Sequence, residues 1–455
     1  MLLKSINPAT GELVREYDEL QWDDVDSALD HSLVAFHQWK RSALSIRAGL
    51  LKSASDKLLE KLEGLAFNIS LEMGKPIRES RSEIEKCAWV CRYYAEHAEA
   101  FLAPQDIPTE ATQSYVAFNP LGPVLAIMPW NFPFWQVFRF AAPALLAGNT
   151  VLLKHASNVP ACALAIEQVF VEAGFPSKVF QTLLISSRKI DNVIADRRIQ
   201  AVTFTGSTPA GRSVGEIAGR HLKKSVLELG GSDPYLILAD ANLEEAAEIC
   251  VKARLMNAGQ SCISAKRFIV EAPVYEAFSH LVVKKMSAAV MGDPMDEKTD
   301  LGPLARNNLR LDIEAQVNNS VSKGAELLLG GIDPQIPGAF YPATVLGNVT
   351  AGMPAYHEEL FGPVAALIKA ANMEEAISIA NDTTFGLGAA VFTTDIEKGR
   401  YIAEHELEAG SCFVNDFVKS DPRLPFGGVK ESGYGRELSV FGLREFMNIK
   451  TVVVR

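Results

Sequence analysis

A cysteine with small, mostly polar neighbours is the first candidate for chemistry in this sequence. Cys262 lies in the segment NAGQSCISA, residues 257–265. Core cysteines usually lie among bulky apolar side chains, whereas the Gly, Ser and Ala around Cys262 leave its sulfur open to a substrate. Backbone N–H groups near the sulfur would lower the pKa of the thiol and stabilise an oxyanion. The segment therefore indicates a nucleophilic cysteine.

A carboxylate inside an apolar strand is the second candidate. Glu228 lies in VLELGG, residues 226–231, directly before a pair of glycines. Burial raises the pKa of a carboxyl group, and a raised pKa suits a general base that works near neutral pH. A structural glutamate in an ion pair is the alternative, and the residues alone leave both open. A cysteine with a glutamate base also fits a hydrolase, but no histidine is in an obvious position to orient the thiol as in papain-like proteases.

An amide and a lysine in neighbouring segments extend the set. Asn131 lies between two aromatic residues in PWNFPFWQVFR, residues 129–139, and an amide in that setting can donate to a developing oxyanion. Packing alone would explain the aromatic residues equally well. Lys154, in LLKHASN at the end of a predicted strand, could reach a ribose or a phosphate. A solvated lysine is the alternative.

A glycine-containing turn is the last candidate. In AVTFTGSTPAGRS, residues 201–213, a predicted strand leads through the turn into a helix. Backbone N–H groups at the start of a helix bind phosphate, although a tight connection without a ligand would give the same pattern. The segment nearly matches a P-loop, but Arg212 stands where the P-loop lysine belongs, which argues against a kinase or an ATPase. Together, the candidates are the parts that a thiol-dependent oxidation of an aldehyde requires.

Alternating strands and helices must position these residues. Residues 22–103 have the three- and four-residue apolar spacing of helices, and residues 151–231 then alternate short strand-like runs with helices. A second alternating series begins near residue 234. This repetition predicts parallel sheets with helices on both faces, and ligands bind beyond the carboxyl ends of such strands. The final segment, FMNIKTVVVR, predicts an end strand that is available to join a partner's sheet.

Composition excludes several classes of function. The chain has 455 residues, which predicts about three domains, and its net charge of −11 argues against a nucleic-acid or anionic-membrane partner. We find no signal peptide and no apolar run long enough to span a membrane, so we expect a soluble, cytoplasmic protein. The six cysteines include no Cys-x-x-Cys pair and the eight histidines are scattered, so neither a disulfide framework nor a metal site is expected.

The sequence resembles the aldehyde dehydrogenase superfamily over almost its whole length. The matching segments, in a specific order and spacing, are INPATGE, PWNFP, LLKHASN, FTGSTPAG, LELGGSDP, NAGQSC, LGPL, EELFGPV, FGGVKESGYGRE and the end strand. The resemblance implies that Cys262 attacks the aldehyde carbon to give a thiohemiacetal, whose hydride passes to a nicotinamide. It also implies that Glu228 deprotonates the water that hydrolyses the resulting thioester. Asn131, helped by the backbone N–H of Cys262, is the implied oxyanion donor.

The resemblance also implies a dinucleotide site. Its residues would be Trp130, Lys154, Gly206 and Ser207, with Leu229 by the nicotinamide and Glu359 and Phe361 by its ribose. NAD-preferring relatives often carry a glutamate three residues after the lysine, where it binds a ribose 2′-OH. Ser157 occupies that position here and would not repel a 2′-phosphate. We therefore expect NADP to be the preferred cofactor, with NAD as the possible alternative.

Within the superfamily the chain is most similar to bacterial succinate-semialdehyde dehydrogenases. The resemblance implies substrate contacts from Trp135 and Ser420, and a bidentate contact between Arg139 and the distal carboxylate of the substrate. Some semialdehyde dehydrogenases carry a second arginine where this chain has Met256, so carboxylate recognition is expected to be weaker and the substrate range broader. Some relatives carry a second cysteine as a disulfide switch where this chain has Ser264, so no such switch is expected.

The implied fold is an α/β fold of the aldehyde dehydrogenase type. It would combine a Rossmann-type cofactor domain (1–105 and 126–228), an α/β catalytic domain (229–437) and a β oligomerisation flap (106–125 and 438–455). A homodimer or homotetramer is expected. A general aliphatic or aromatic aldehyde dehydrogenase is the main alternative. A non-catalytic protein of the same fold is less consistent with the retained cysteine, glutamate and asparagine, and a CoA-acylating enzyme is less consistent with a hydrolytic glutamate.

Overall fold

The computed structural model describes residues 2–455, which form an α/β structure. The strands are β1 (Leu2–Ile6), β2 (Leu13–Asp18), β3 (Gln105–Asp106), β4 (Gln113–Pro120), β5 (Pro123–Met128), β6 (Thr150–His155), β7 (Phe180–Thr182), β8 (Ala201–Thr205), β9 (Lys224–Glu228), β10 (Pro234–Ile237), β11 (Arg267–Glu271), β12 (Glu326–Leu329), β13 (Thr344–Gly347), β14 (Val364–Ala370), β15 (Phe385–Gly386), β16 (Gly388–Phe392), β17 (Ser411–Val414), β18 (Val429–Lys430), β19 (Gly433–Tyr434) and β20 (Met447–Val454). The helices are α1 (Trp22–Trp39), α2 (Leu44–Glu60), α3 (Leu62–Met73), α4 (Ile77–Leu102), α5 (Trp135–Ala147), α6 (Pro160–Glu172), α7 (Ile190–Ala195), α8 (Thr208–Arg220), α9 (Leu243–Leu255), α10 (Tyr275–Ser287), α11 (Asn307–Ser322), α12 (Pro354–His357), α13 (Met373–Asn381), α14 (Ile396–Tyr401) and α15 (Ser439–Glu445).

The long helix α4 is amphipathic, as its sequence spacing predicts. Its buried side chains recur every three or four residues, among them Ile84, Cys87, Cys91 and Tyr94. These side chains join a hydrophobic core that also contains residues of α2, α5 and β6. Burial of such a face, rather than intrinsic helix propensity, supplies most of the stability of a helix in a folded protein. Both cysteines of α4 are therefore core residues.

A six-stranded sheet is formed by the first alternating series. Its strand order is β19-β9-β8-β5-β6-β7, and all neighbours are parallel except β19 and β9. The parallel sheet that the sequence predicts is confirmed. Strand β7 is short and ends at Thr182, and the carbonyl oxygen of Leu184 beyond it accepts a hydrogen bond from the N–H of Leu20.

A seven-stranded sheet is formed by the later series. Its order is β12-β13-β14-β11-β10-β16-β17, and only β12 runs antiparallel to its neighbour. Its inner strands are almost wholly buried, for example β14 and β16, whereas the edge strands β12 and β17 are more exposed. Strands buried on both faces read as continuous apolar runs rather than alternating ones, which is the pattern seen here.

A small three-stranded sheet lies apart from the two large ones. Strand β20 pairs along its full length with β4, and β4 pairs with β3. Because the order is β20-β4-β3, the outer edge of β20 has no strand partner within residues 2–455. Strand β5, whose first residues fall within the predicted flap range 106–125, belongs to the six-stranded sheet. The division of the chain into domains remains a prediction.

The parallel strands β5, β6, β8 and β9 of the six-stranded sheet end at one edge. In the pairing register, Met128 of β5 lies opposite His155 of β6, and Thr205 of β8 lies opposite Glu228 of β9. The segments that begin at these carboxyl ends carry most of the candidate residues from the sequence. No helix within residues 2–455 is both long and apolar enough to cross a membrane.

Candidate active site

The loop that carries Cys262 begins with a strained turn. After α9, Asn257 and Ala258 adopt positive φ angles of 54° and 52°, a conformation that is uncommon for residues other than glycine. The Asn257 side chain holds this turn because its Nδ2 donates to the carbonyl oxygens of Asn131 (2.7 Å) and Gln260 (3.2 Å). Strained residues cluster at functional sites, where the surrounding structure holds them in place. Asn257 thus links residues 256–265, which carry Cys262 and which we call the nucleophile loop, to Asn131, the predicted oxyanion donor.

A buried lysine fixes the other side of the same loop. The side chain of Lys266 is fully buried, and its Nζ donates to the carbonyl oxygens of Cys262 (2.8 Å) and Ser261 (2.9 Å). The same Nζ lies 3.7 Å from a carboxylate oxygen of Glu359. Lys266 is absent from the residues predicted from the sequence. Its place directly before the buried strand RFIVE was the available signal, because a buried charge must have partners.

The two glycines after Glu228 let the strand end lie against this loop. A Cβ at Gly231 would lie 2.6 Å from the carbonyl oxygen of Cys262, closer than any side-chain atom can approach. Only glycine therefore fits where the β9 segment meets the nucleophile loop. The next residues along the loop are also fixed, because the Ser264 hydroxyl donates to the carbonyl oxygen of Ala253 at 2.6 Å.

Cys262 opens into a cavity of about 880 Å³, which we call the Cys262 cavity. The residue is half-buried, unlike the fully buried cysteines of α4. Three residues that the resemblance assigns to the substrate line this cavity with Cys262, namely Trp135, Arg139 and Ser420. Met256 and Ser264 also line it. The structure therefore brings the predicted nucleophile and the predicted substrate contacts together.

The pKa of the Cys262 thiol differs from the sequence-based expectation. Burial raises this pKa to about 12, and the positive charges of Arg139 and Lys266 oppose the increase without cancelling it. The expectation of a lowered pKa was therefore wrong, because loss of solvent outweighs the favourable charges of Arg139 and Lys266. A thiol with this pKa is protonated near neutral pH, so its reaction as a thiolate requires a base or a change in its surroundings.

Glu228 lies at the end of β9 and is 2% exposed. Neither of its carboxylate oxygens has a hydrogen-bond partner in the described residues. Burial raises the pKa of Glu228 well above its usual value; Glu437 raises it further and Arg139 opposes the shift. A Cβ at Gly427 would lie 2.7 Å from Glu228 Oε1, so a larger residue there would collide with the carboxylate. Glu228 is outside the residues that line the Cys262 cavity.

The sequence left open whether Glu228 forms a structural ion pair. In the structure the buried ion pair in this region is formed by Glu437 instead. Arg139 is 2% exposed, and its Nε forms an ion pair with Glu437. Its Nη2 donates to the Thr205 hydroxyl at 3.3 Å, and its guanidinium lies 4.9 Å from the centre of the Phe426 ring. The charge of Arg139 is therefore already neutralised within the protein, although the side chain forms part of the cavity wall.

Asn131 is buried against the nucleophile loop. The residue is 4% exposed, and its Nδ2 donates to the carbonyl oxygen of Gln260 at 3.1 Å. An amide nitrogen carries two hydrogens, so one remains for another acceptor. Asn131 is therefore hydrogen-bonded to Asn257 and Gln260, two residues of the loop that carries Cys262.

A second cavity, of about 920 Å³, contains two of the predicted cofactor residues, Lys154 and Ser157. We call it the Lys154 cavity. Lys154 is 8% exposed, burial lowers the pKa of its ammonium group, and no carboxylate of the described residues forms an ion pair with it. The sequence analysis missed Arg188 and Arg306, which line the same cavity. A cavity with an unpaired buried lysine and two arginines is suited to phosphate groups.

The remaining predicted cofactor residues lie outside the walls of both cavities. Ser207 is the N-cap of α8, whose first turn contains no acidic residue, so its N-terminus is suited to an anion. Glu359 accepts a hydrogen bond from the N–H of Gly231 at 3.1 Å. The rings of Phe361 and Trp130 meet edge to face at 5.7 Å. Gly206 donates its N–H to the carbonyl oxygen of Glu228 at 3.0 Å, and Leu229 is 5% exposed in the next segment.

Comparison with known proteins assigns the fold. The aldehyde dehydrogenase family profile matches residues 2–452. The chain is 49% identical over 99% of both chains to a probable succinate-semialdehyde dehydrogenase [NADP(+)] of Synechocystis sp., and 48% identical over 99% of both chains to succinate-semialdehyde dehydrogenase [NADP(+)] 1 of Mycobacterium tuberculosis. The crystal structure of a succinic semialdehyde dehydrogenase from Streptococcus pyogenes, in complex with NADP+, superposes with a TM-score of 0.97 at 37% identity over 99% of both chains. The chain therefore belongs to the aldehyde dehydrogenase family.

Proposed function

We propose that this enzyme oxidises succinate semialdehyde to succinate with NADP+ as the oxidant. Similarity to curated enzymes of that name, over 99% of both chains, supports the substrate and the cofactor. The observation that carries the proposal is that Cys262 opens into a cavity whose walls combine aromatic rings with cationic side chains. Such a cavity suits a short aldehyde with an anionic end.

Cys262 is the nucleophile in this proposal. Its thiol loses its proton, the sulfur bonds to the aldehyde carbon as the C=O double bond opens, and the proton is regained by the former carbonyl oxygen in the resulting thiohemiacetal. The second hydrogen of Asn131 Nδ2 and the backbone N–H of Cys262 stabilise the oxygen that becomes negative. The network that holds Asn131 to the nucleophile loop, through Asn257 and Gln260, keeps this donor fixed before the substrate arrives.

Glu228 is the general base for the hydrolytic step. After hydride loss the substrate is a thioester on Cys262, and Glu228 removes a proton from the water that attacks it. The raised pKa of Glu228, caused mainly by burial, makes its carboxylate a stronger base than a solvated one. No hydrogen bond of the described residues holds either carboxylate oxygen, so rotation of the side chain toward the thioester would break none.

The Lys154 cavity fits a dinucleotide with a 2′-phosphate. Lys154 and Ser157 would bind the phosphate-bearing ribose, and the N-terminus of α8 at Ser207 would bind the pyrophosphate. Glu359 and Phe361 would bind at the nicotinamide end. Glu359 is hydrogen-bonded to Gly231, and the ring of Phe361 contacts the ring of Trp130. NADP+ supplies the hydride acceptor when it is bound.

The test is an aldehyde panel with both cofactors. Purified enzyme is mixed with succinate semialdehyde, glutarate semialdehyde, propanal or benzaldehyde, and the absorbance of the reduced cofactor is followed with NADP+ and with NAD+. The proposal predicts the highest kcat/KM for succinate semialdehyde with NADP+. Higher values for propanal or benzaldehyde would identify a general aldehyde dehydrogenase, and an NAD+ preference above about tenfold would refute the assignment of the cofactor.

We also propose that two chains associate through the edge of β20. This strand pairs with β4 on one side only, and Ile449 and Val453 expose 59% and 57% of their area. Unpaired apolar edge strands readily pair with another chain. Light scattering should give a dimer or a tetramer for the wild-type protein and a smaller species for Val453→Asp; an unchanged mass would argue against this edge.

The six free cysteines support the cytoplasm, a reducing compartment, as the location.

A further inference from the structure

One lysine of α4 enters the Cys262 cavity without a carboxylate partner. Lys86 is half-buried, and its Nζ donates a hydrogen bond to the Ser420 hydroxyl at 2.9 Å. The same nitrogen lies 4.3 Å from the centre of the Trp135 ring. Ser420 and Trp135 are two of the three residues that the family resemblance assigns to the substrate. Lys86, which the sequence analysis missed, lies between them.

The other cationic side chains that line this cavity either form ion pairs with carboxylates or are exposed to solvent. Four form ion pairs: Arg139 with Glu437, Arg78 with Asp300 (2.9 Å), Lys285 with Glu244 (2.6 Å) and Lys419 with Asp416 (2.5 Å). Lys252 is exposed to solvent. Within residues 2–455, no carboxylate forms an ion pair with Lys86. Lys86 is therefore the cation of the cavity wall that is both shielded from solvent and free of an ion pair.

The charged groups around Lys86 determine how strongly it holds its proton. Burial lowers the pKa of Lys86 to about 8, and the positive charge of Arg139 lowers it too. The charges of Cys87, Asp421 and Glu83 act in the opposite direction. An anion placed against Nζ would relieve the effect of burial, because an opposite charge favours the protonated form.

We propose, on the basis of the function proposed above, that Lys86 binds the distal carboxylate of succinate semialdehyde and sets the preference for ω-carboxylate aldehydes. Because Lys86 donates to the oxygen of Ser420, the Ser420 hydroxyl hydrogen is free to donate to the same carboxylate. The Trp135 ring holds the ammonium group from the other side. Arg139, which the resemblance assigns to the carboxylate, instead neutralises Glu437 behind the cavity wall.

The experiment compares succinate semialdehyde with butanal, which has the same carbon chain without the carboxylate. The measured quantity is the ratio of kcat/KM for the two aldehydes, with NADP+ at saturation. Loss of a charge-assisted contact predicts that Lys86→Met lowers this ratio about tenfold to a hundredfold. A smaller decrease would overturn the inference. Lys86→Arg keeps the charge, so it should retain a larger share of the ratio than Lys86→Met.

Lys419→Met is the matched control, since it removes a lysine of the same cavity whose charge is paired with Asp416. Its ratio should equal that of the wild type, and a decrease as large as that of Lys86→Met would overturn the inference. If Lys86→Met fails to fold, Lys86→Gln undergoes the same comparison with the same threshold. Wild-type enzyme that does not prefer succinate semialdehyde over butanal would refute the proposed substrate and this inference together. A wild-type preference that Lys86→Met retains would refute this inference alone.

Discussion

Lys266 donates a hydrogen bond from its Nζ to the carbonyl oxygen of Cys262 at 2.8 Å. The lysine is fully buried, and the positive charge of its ammonium group opposes the increase that burial causes in the pKa of the Cys262 thiol. One side chain thus fixes the backbone of the nucleophile and partly offsets the effect of burial on its ionisation. Lys266 is a positioning residue, because its contact is to the loop rather than to the sulfur.

Replacing Lys266 with methionine should reduce turnover while the fold persists. Loss of the two carbonyl contacts lets the nucleophile loop move, and small displacements of reacting groups cost about a hundredfold in rate. We therefore expect kcat to fall about tenfold or more. Loss of the positive charge should also raise the pKa of the thiol, so alkylation of Cys262 by iodoacetamide should require higher pH. An unchanged alkylation profile in a folded variant would contradict the role of Lys266.

Ser157→Glu should change the cofactor preference. A carboxylate in the Lys154 cavity would repel a 2′-phosphate, and juxtaposed like charges cost several kcal/mol. We expect kcat/KM for NADP+ to fall more than about tenfold, with a smaller change for NAD+. Ser157→Gln, which has nearly the same size without the charge, is the control. Equal effects of the two substitutions on NADP+ would show that size rather than charge matters at this position.

Glu228→Gln should stabilise the fold at alkaline pH. The folded-state pKa of Glu228 is raised, mainly by burial, so the folded state binds a proton that the unfolded state has already lost. Wild-type stability therefore falls as the pH rises from about 4.3 through the folded-state pKa, and the neutral glutamine removes this loss. Thermal unfolding should show a higher midpoint for the variant near pH 8 and a smaller difference near about pH 5. A variant that is less stable at both pH values would contradict the assignment of an unpaired carboxylate.

A buried ion pair supports the first turn of α5. Glu83 pairs with Lys75, and its other oxygen accepts the backbone N–H groups of Phe134 (2.8 Å) and Trp135 (3.0 Å). Lys75→Met leaves this carboxylate buried without its cation, which costs about 3–5 kcal/mol of the free energy of unfolding. Urea unfolding measures the change. Lys57→Met, which breaks the exposed pair with Glu60, should cost much less, because solvent screens the charges of such a pair.

A cost below that of Lys57→Met would show that the buried pair is not needed for the fold. Such a result would also remove the reason to connect Glu83 with the position of Trp135 in the Cys262 cavity.

The sequence predicted the elements better than the partners of their side chains. The apolar runs and helical spacing identified the strands that end at His155 and Glu228, because local periodicity determines both. The ion pair of Arg139 with Glu437 joins α5 to the segment before α15, which is far away in the chain. The local sequence therefore could not indicate whether Arg139 pairs with Glu228 or with Glu437. The pKa of Cys262 depends on burial by residues far away in the chain, so its neighbours in sequence misled the expectation.

Lys86 illustrates the same limit within the site. Its position on α4 fits an amphipathic helix with a solvated lysine, which is the ordinary reading of that residue. Only the packing of α4 against α5 and the segment around Ser420 encloses it in the cavity.

The central claim is that Cys262 carries the substrate as a thioester that Glu228 helps to hydrolyse. The most direct test mixes Glu228→Ala with succinate semialdehyde and NADP+, follows cofactor reduction by stopped flow, and digests the quenched protein for mass spectrometry. The account predicts a rapid burst of about one reduced cofactor per subunit, slow turnover afterwards, and a succinyl group on the peptide that contains Cys262. A wild-type steady-state rate without a burst, or a burst that leaves Cys262 unmodified, would contradict it.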